Sequence, residues 1–176
     1  IDSVFADLKA RWGGLDFVVH AVAYSDKEEL KGKYLNTSRD NFLRTMDVSC
    51  YSFTALARAA ADLMGDGGSL ITLTYTGSTR VMPNYNVMGV AKAALEASVR
   101  YLAANLGPQG IRVNAISPGE IDTSILSPGT EDMIGDIPLR RLGLPQEVAE
   151  TIFFLCSTQS SYVTGAEVHV NGGQHV

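Results

Sequence analysis

Tyr85 and Lys92 are separated by six residues in the run Tyr85-Asn-Val-Met88-Gly-Val-Ala-Lys92. If that run is helical, seven steps of about 100° leave the two side chains within roughly 20° on one face, about 10 Å apart along the axis. They cannot touch, but a ligand lying across the helix start meets both. A phenol can donate a hydrogen bond to a carbonyl and stabilise negative charge developing there. An ammonium offers a compact positive charge and three donors. Tyr75 directly follows the strand-like run Ser69-Leu-Ile-Thr-Leu-Thr74, so it should project from that strand's carboxyl end beside the same helix start. On spacing alone, a half-buried tyrosine with a surface lysine, and an aromatic plug at the sheet rim, compete with this reading. A third feature is Ser117-Pro118-Gly119-Glu120-Ile121-Asp122-Thr123, a turn at whose Gly119 a ligand can approach the backbone and whose Thr123 can hydrogen-bond a phosphate or amide. Pro-Gly after a strand is more often only a turn.

The elements that must position these groups alternate along the chain. Val4, Leu8 and Trp12 share a helical face that ends at Gly13-Gly14, and Asp16 to Ala21 is a strand-length apolar run. Residues 22–37 are irregular. Ser38 is an N-cap candidate for one long helix to about Met64, with Phe42, Met46, Phe53, Leu56, Ala60 and Leu63 on its apolar side. Strand 69–74 follows, then a helix from about Asn84 to Leu106, strand 111–116, a loop over 120–138, a helix from Pro145 to about Ser157 and a short strand 167–171. Alternation of this kind predicts an α/β fold, a doubly wound parallel sheet with right-handed crossovers. Ligands then bind beyond the carboxyl ends of the strands, just after Ala21, Thr74 and Ile116.

Composition narrows the function classes. A net charge of −5 gives no general affinity for nucleic acid or anionic membrane. No apolar run approaches the about 20 residues that span a bilayer. Cys50 and Cys156 lack a C-x-x-C spacing and read as buried thiols of a reducing compartment, which predicts a cytoplasmic protein. His20, His169 and His175 are scattered without ligand spacing, so no metal is expected. Asp47 and Asp122 read as solvated or capping groups, and Glu28-Glu29 with Lys31 and Lys33 as a solvated cluster. The start at Ile1-Asp2-Ser3 carries no signal-peptide pattern and reads as the interior of a domain.

The run from Thr72 to Ala103, with Tyr75, Tyr85 and Lys92 in it, resembles the FabI-type enoyl-ACP reductases of the short-chain dehydrogenase/reductase superfamily. That family separates its tyrosine and lysine by six residues; the commoner superfamily spacing would need a tyrosine where Met88 stands. Asp16-Phe-Val-Val-His20, Tyr34 to Phe42 and Met46 to Phe53 extend the resemblance over about residues 15–116. It implies a Rossmann-like domain in which NADH delivers hydride to the β-carbon of a trans-2-enoyl thioester on acyl carrier protein, with NADPH not excluded. Tyr85 would stabilise the enolate, Lys92 would hold the nicotinamide ribose, and Tyr75, the third catalytic residue implied, would support Tyr85 and shape the acyl pocket, where Met88 also contributes. Cofactor contacts are implied for His20, Ala21, Ala23, Leu73, Thr74, Lys92, Gly119, Ile121 and Thr123. A homotetramer is implied as well.

Departures from the family keep alternatives open. No Gly-rich phosphate loop occurs in these residues, so the chain reads as the C-terminal two-thirds of a family domain, without its first strands. Ser117-Pro118-Gly119-Glu120 replaces the family's Ser-Ala-Gly-Pro, and residues 138–173 look more like 3-oxoacyl-ACP reductases. A carbonyl or alcohol oxidoreductase, and a non-catalytic oligomeric scaffold, therefore stand beside the enoyl reductase.

Overall fold

The computed structural model describes residues 1–124 and 134–176. Helix α1 (Asp2–Trp12) leads into strand β1 (Phe17–His20). Helices α2 (Arg39–Met46) and α3 (Ser52–Ala61) precede β2 (Gly68–Leu73). Then come α4 (Asn86–Leu106), β3 (Ile111–Pro118), α5 (Pro145–Cys156) and β4 (Glu167–Val170). The strands form one parallel sheet in the order β1-β2-β3-β4. The expected loop over 120–138 lies in part, at 125–133, outside the described residues.

Period-two alternation divides the sheet between two cores. Leu70, Val113 and Ala115 turn to one face and pack with Phe53, Ala57, Leu95 and Val99 of α3 and α4. Ile71 and Ile116 turn to the other face, against Val148, Ile152 and Leu155 of α5. The strand order advances in one direction while α5 crosses the opposite face from α3 and α4. The last connection therefore has the opposite hand to the earlier ones, which corrects the expectation of uniformly right-handed crossovers. The reason is occupancy: α4 already covers the first face, and Ile71 and Ile116 would otherwise face water.

The long helix expected from Ser38 to Met64 begins as predicted, with Ser38 Oγ accepting from Asn41 N at 3.2 Å. It is interrupted by a π-helical turn at Asp47–Tyr51. That extra residue aims Ser49 and Ser52 back at the end of β1. Ser49 Oγ accepts from Tyr24 N (2.9 Å) and donates to Tyr24 O (3.0 Å), which pins the chain just beyond the strand. Strand β3 runs two residues further than expected, through Pro118, because it pairs there with β4. Cys50 is a buried free thiol and Cys156 a partly buried one.

Candidate active site

Tyr75 leaves the end of β2 in extended conformation, and Tyr85 is the N-cap of α4. Their rings meet at a centroid distance of 5.0 Å, tilted by 60°. Space for this packing comes from two glycines. A Cβ at Gly77 would overlap the Tyr85 ring, and one at Gly89 would lie 2.6 Å from Gly77 O. The helix start is held from outside by Asn86, whose Nδ2 donates to Glu29 O (3.2 Å) and Lys31 O (3.3 Å).

Lys92 is 6% exposed, which excludes the surface-lysine alternative. Its Nζ donates to Leu73 O at 2.7 Å, the one hydrogen bond it makes among the described residues. Two N–H groups of a buried ammonium are left for another acceptor, so the group fits a vicinal diol such as a ribose. Burial lowers the Lys92 pKa to about 8, partly offset by the charge of Glu96. Glu96, one turn further along α4, is itself buried and accepts from Thr74 Oγ1 at 2.5 Å. Burial pushes both phenols up, Tyr75 to about 12 and Tyr85 further, so both stay protonated donors at neutral pH. Tyr75 Oη donates to Glu120 Oε1 at 3.2 Å, whereas Tyr85 Oη has no protein partner among the described residues.

A groove of about 410 Å³ runs past Tyr85, lined also by Tyr34, Gly77, Arg80, Met82 and Val90. Its apolar walls beside a free phenol suit an acyl chain ending in a carbonyl. Met88 does not line it. Three residues on from Tyr85 it is turned about 60° round the helix, and only 7% of it is exposed.

The remaining expected cofactor residues divide. Ala21 and Ala23 are exposed at the carboxyl end of β1, and Leu73 and Thr74 sit at the end of β2 beside Lys92. Gly119 admits no side chain, since a Cβ would lie 2.6 Å from that of Asn171. Ile121 bridges to Gly143 and Thr123 is exposed. The imidazole of His20 corrects its expected role as a cofactor contact: it is 1% exposed and its nitrogens lie 2.9 Å from Thr72 Oγ1 and 2.8 Å from Ser52 Oγ. Burial, with the Lys92 charge, lowers its pKa to about 4, so it is a neutral core group at pH 7. Only its backbone remains to offer a ligand.

Sequence reasoning missed Glu96, Glu120, Ser49 and Ser52. The seven-residue step that paired Tyr85 with Lys92 could have found Glu96, one turn further on the same face. Nothing local marks the others, whose partners are 45, 25 and 32 residues away. Among the described residues no group of three or more His, Cys, Asp or Glu is placed to hold a metal ion, and no helix is long and apolar enough to cross a membrane.

The model of the enoyl-(acyl carrier protein) reductase family matches residues 1–175, including the C-terminal third. An enoyl-[acyl-carrier-protein] reductase [NADH] of Rhizobium meliloti is 56% identical over 99% of this chain and 66% of its own length. The Bacillus subtilis FabI is 49% identical over 100% of this chain and 70% of its own. Thus the chain spans about two thirds of the length of these curated relatives. Among solved structures, the Anaplasma phagocytophilum reductase in complex with NAD superposes with a TM-score of 0.92 at 51% identity, covering 99% of this chain and 69% of that one. The Bacillus cereus enzyme, with NADP+ and an indole naphthyridinone, gives 0.95 at 44% identity, over 99% and 70%. A family match over nearly every residue, with the tyrosine pair and buried lysine gathered at the carboxyl ends of a parallel sheet, places the chain in the enoyl-(acyl carrier protein) reductase family.

Proposed function

We propose that the protein reduces trans-2-enoyl thioesters carried on acyl carrier protein with NADH, in fatty acid synthesis. The observation that carries this reading is Tyr85, whose hydroxyl has no partner among the described residues, lining an apolar groove near a buried ammonium that spends one donor among them. NADH, when bound, supplies the hydride for the β-carbon of the enoyl group. Tyr85 donates its hydrogen bond to the thioester carbonyl, where negative charge accumulates as the double bond is reduced. Lys92 holds the ribose hydroxyls and adds positive potential to the same crevice. Tyr75 closes the acyl side of the site, and the backbone at Ala21, Ala23, Gly119 and Ile121 lines the cofactor's path, with Thr123 within its continuation. Met88 backs the acyl pocket from beneath Tyr85 rather than lining the groove. The assembly proposed is a homotetramer in the cytoplasm, formed by a single Rossmann-like unit per chain.

The test is NADH consumption by the intact protein with a crotonyl and an acetoacetyl thioester. Turnover of crotonyl alone is expected, and Tyr85→Phe should lower it by about 100-fold, the size of losing one oxyanion donor. Reduction of acetoacetyl but not crotonyl thioester overturns the assignment in favour of a 3-oxoacyl reductase. Near-full activity of Tyr85→Phe removes the role given to the phenol.

A further inference from the structure

Two protonated phenols pack ring against ring, Tyr85 lining the groove and Tyr75 behind it, and only one can occupy the carbonyl oxygen productively. What separates them is Glu120. Tyr75 Oη spends its proton on Glu120 Oε1 at 3.2 Å, while Tyr85 Oη has no acceptor among the described residues. Resting on the reductase reading above, we propose that Glu120 is a positioning residue that selects Tyr85 as the donor by keeping the Tyr75 hydroxyl engaged.

The carboxylate is well placed to do this because its backbone is held on both sides. Gly119 N donates to Val170 O (3.0 Å), and Gly143 N donates to Glu120 O (2.9 Å). Ile121 and Gly143 form a β-bridge immediately after. Gly119 lies so close to Asn171 that a side chain there would overlap it. On the other side, the Tyr85 ring is confined by Gly77 and by Tyr75 itself. The charge of Glu120 also adds to burial in raising the Tyr75 pKa, which strengthens its hold on the proton. Behind Glu120 lies a second basin of about 220 Å³, whose titratable groups are Arg141, Glu147, His169 and His175. Arg141 is paired there with Glu147, Nη2 to Oε1 at 2.6 Å. His169 and His175 are stacked at 4.0 Å. None of these four groups hydrogen-bonds the Glu120 carboxylate among the described residues, which leaves it to Tyr75.

Without Glu120 the half-buried Tyr75 phenol loses the protein acceptor that fixes it and is free to turn toward the substrate carbonyl. The ring would then compete with Tyr85 for the same oxygen. Two readouts on the intact protein test this. Tyrosine ultraviolet resonance Raman, as the difference against Tyr75→Phe, should show a strongly donating phenol in the wild type that is lost in Glu120→Ala and retained in Glu120→Gln. With crotonyl thioester, Glu120→Ala should lower kcat about tenfold, and Glu120→Gln, which keeps an acceptor oxygen, should stay within about threefold. In a Tyr75→Phe background, Glu120→Ala should add no further loss, because no hydroxyl remains to be misdirected. Multiplicative losses in the double variant overturn the proposal. So does a Tyr75 Raman signal unchanged in Glu120→Ala, whatever the activity. A wild-type protein inert toward crotonyl thioester whose Raman signal does respond sinks the reductase reading and leaves the Glu120 contact standing.

Discussion

Lys92 must carry a charge in a place that resists charge. Desolvation lowers its pKa from 10.5 to about 8, against a partial restoring field from Glu96. In the folded protein the ammonium is thus lost as pH rises through about 8, and with it the donors expected to hold the ribose. NADH affinity should be nearly flat up to pH 7 and fall about tenfold between pH 7 and 9, following the protonated fraction. Lys92→Met should bind NADH weakly at every pH and abolish that slope. Fluorescence titration across the pH range checks both; an affinity independent of pH in the wild type removes the role given to Lys92. The sign for stability is opposite. The unfolded chain binds this proton more tightly, so the depressed pKa is a cost below pH 8 that disappears as pH rises toward 10.5. Tyr85 and Lys92 were legible in the sequence because their relation is a helical period. Glu120 was visible only as an odd residue after Pro118-Gly119, because its partner Tyr75 is 45 residues away.

At the scale of elements, the strands and helices follow from apolar period and caps, and what escaped were features set by tertiary contact. The π-helical turn at Asp47–Tyr51 has no propensity signal; it goes with tertiary contacts, Ser49 to Tyr24 just beyond β1 and Ser52 to His20 at the strand's end. Helix α4 shows the reverse conflict, where a local preference is overruled. Gly89 lies inside it, and alanine there would gain about 1 kcal/mol of helix propensity. The added methyl would stand 2.6 Å from Gly77 O, a backbone atom with Tyr85 packed beside it, so something must shift. Overpacking of this kind costs about 1–3 kcal/mol, which exceeds the gain. Gly89→Ala should therefore lower the midpoint of chemical denaturation and, by displacing Tyr85, reduce kcat more than NADH affinity. A stabilised variant with unchanged turnover contradicts the close approach of Gly77 and Gly89.

The molecule as a whole is a parallel sheet, legible from the alternation of strands and helices, while the division of its two faces and the hand of the last crossover were not. Handedness depends on which face the other helices leave bare, and α3 and α4 occupy the first one. The same helix leaves a further apolar surface unsatisfied. Leu155 is fully buried, yet Phe153 is 74% exposed, Phe154 38%, and Tyr162, shortly after the helix, wholly so. Covering a phenylalanine side chain contributes about 1.5–3 kcal/mol, and two such rings repeated by symmetry suffice to bias association strongly. If the proposed homotetramer forms, this is a face it should bury. Light scattering of the intact protein at micromolar concentration should give a four-chain mass, and Phe153→Glu should reduce it, since the charge would have to be desolvated at each copy of the contact. Because α5 lies across the sheet from α3 and α4, that variant should keep the circular dichroism of the wild type. A four-chain mass that survives Phe153→Glu would move the interface to another face, and a monomeric wild type would end the tetramer reading.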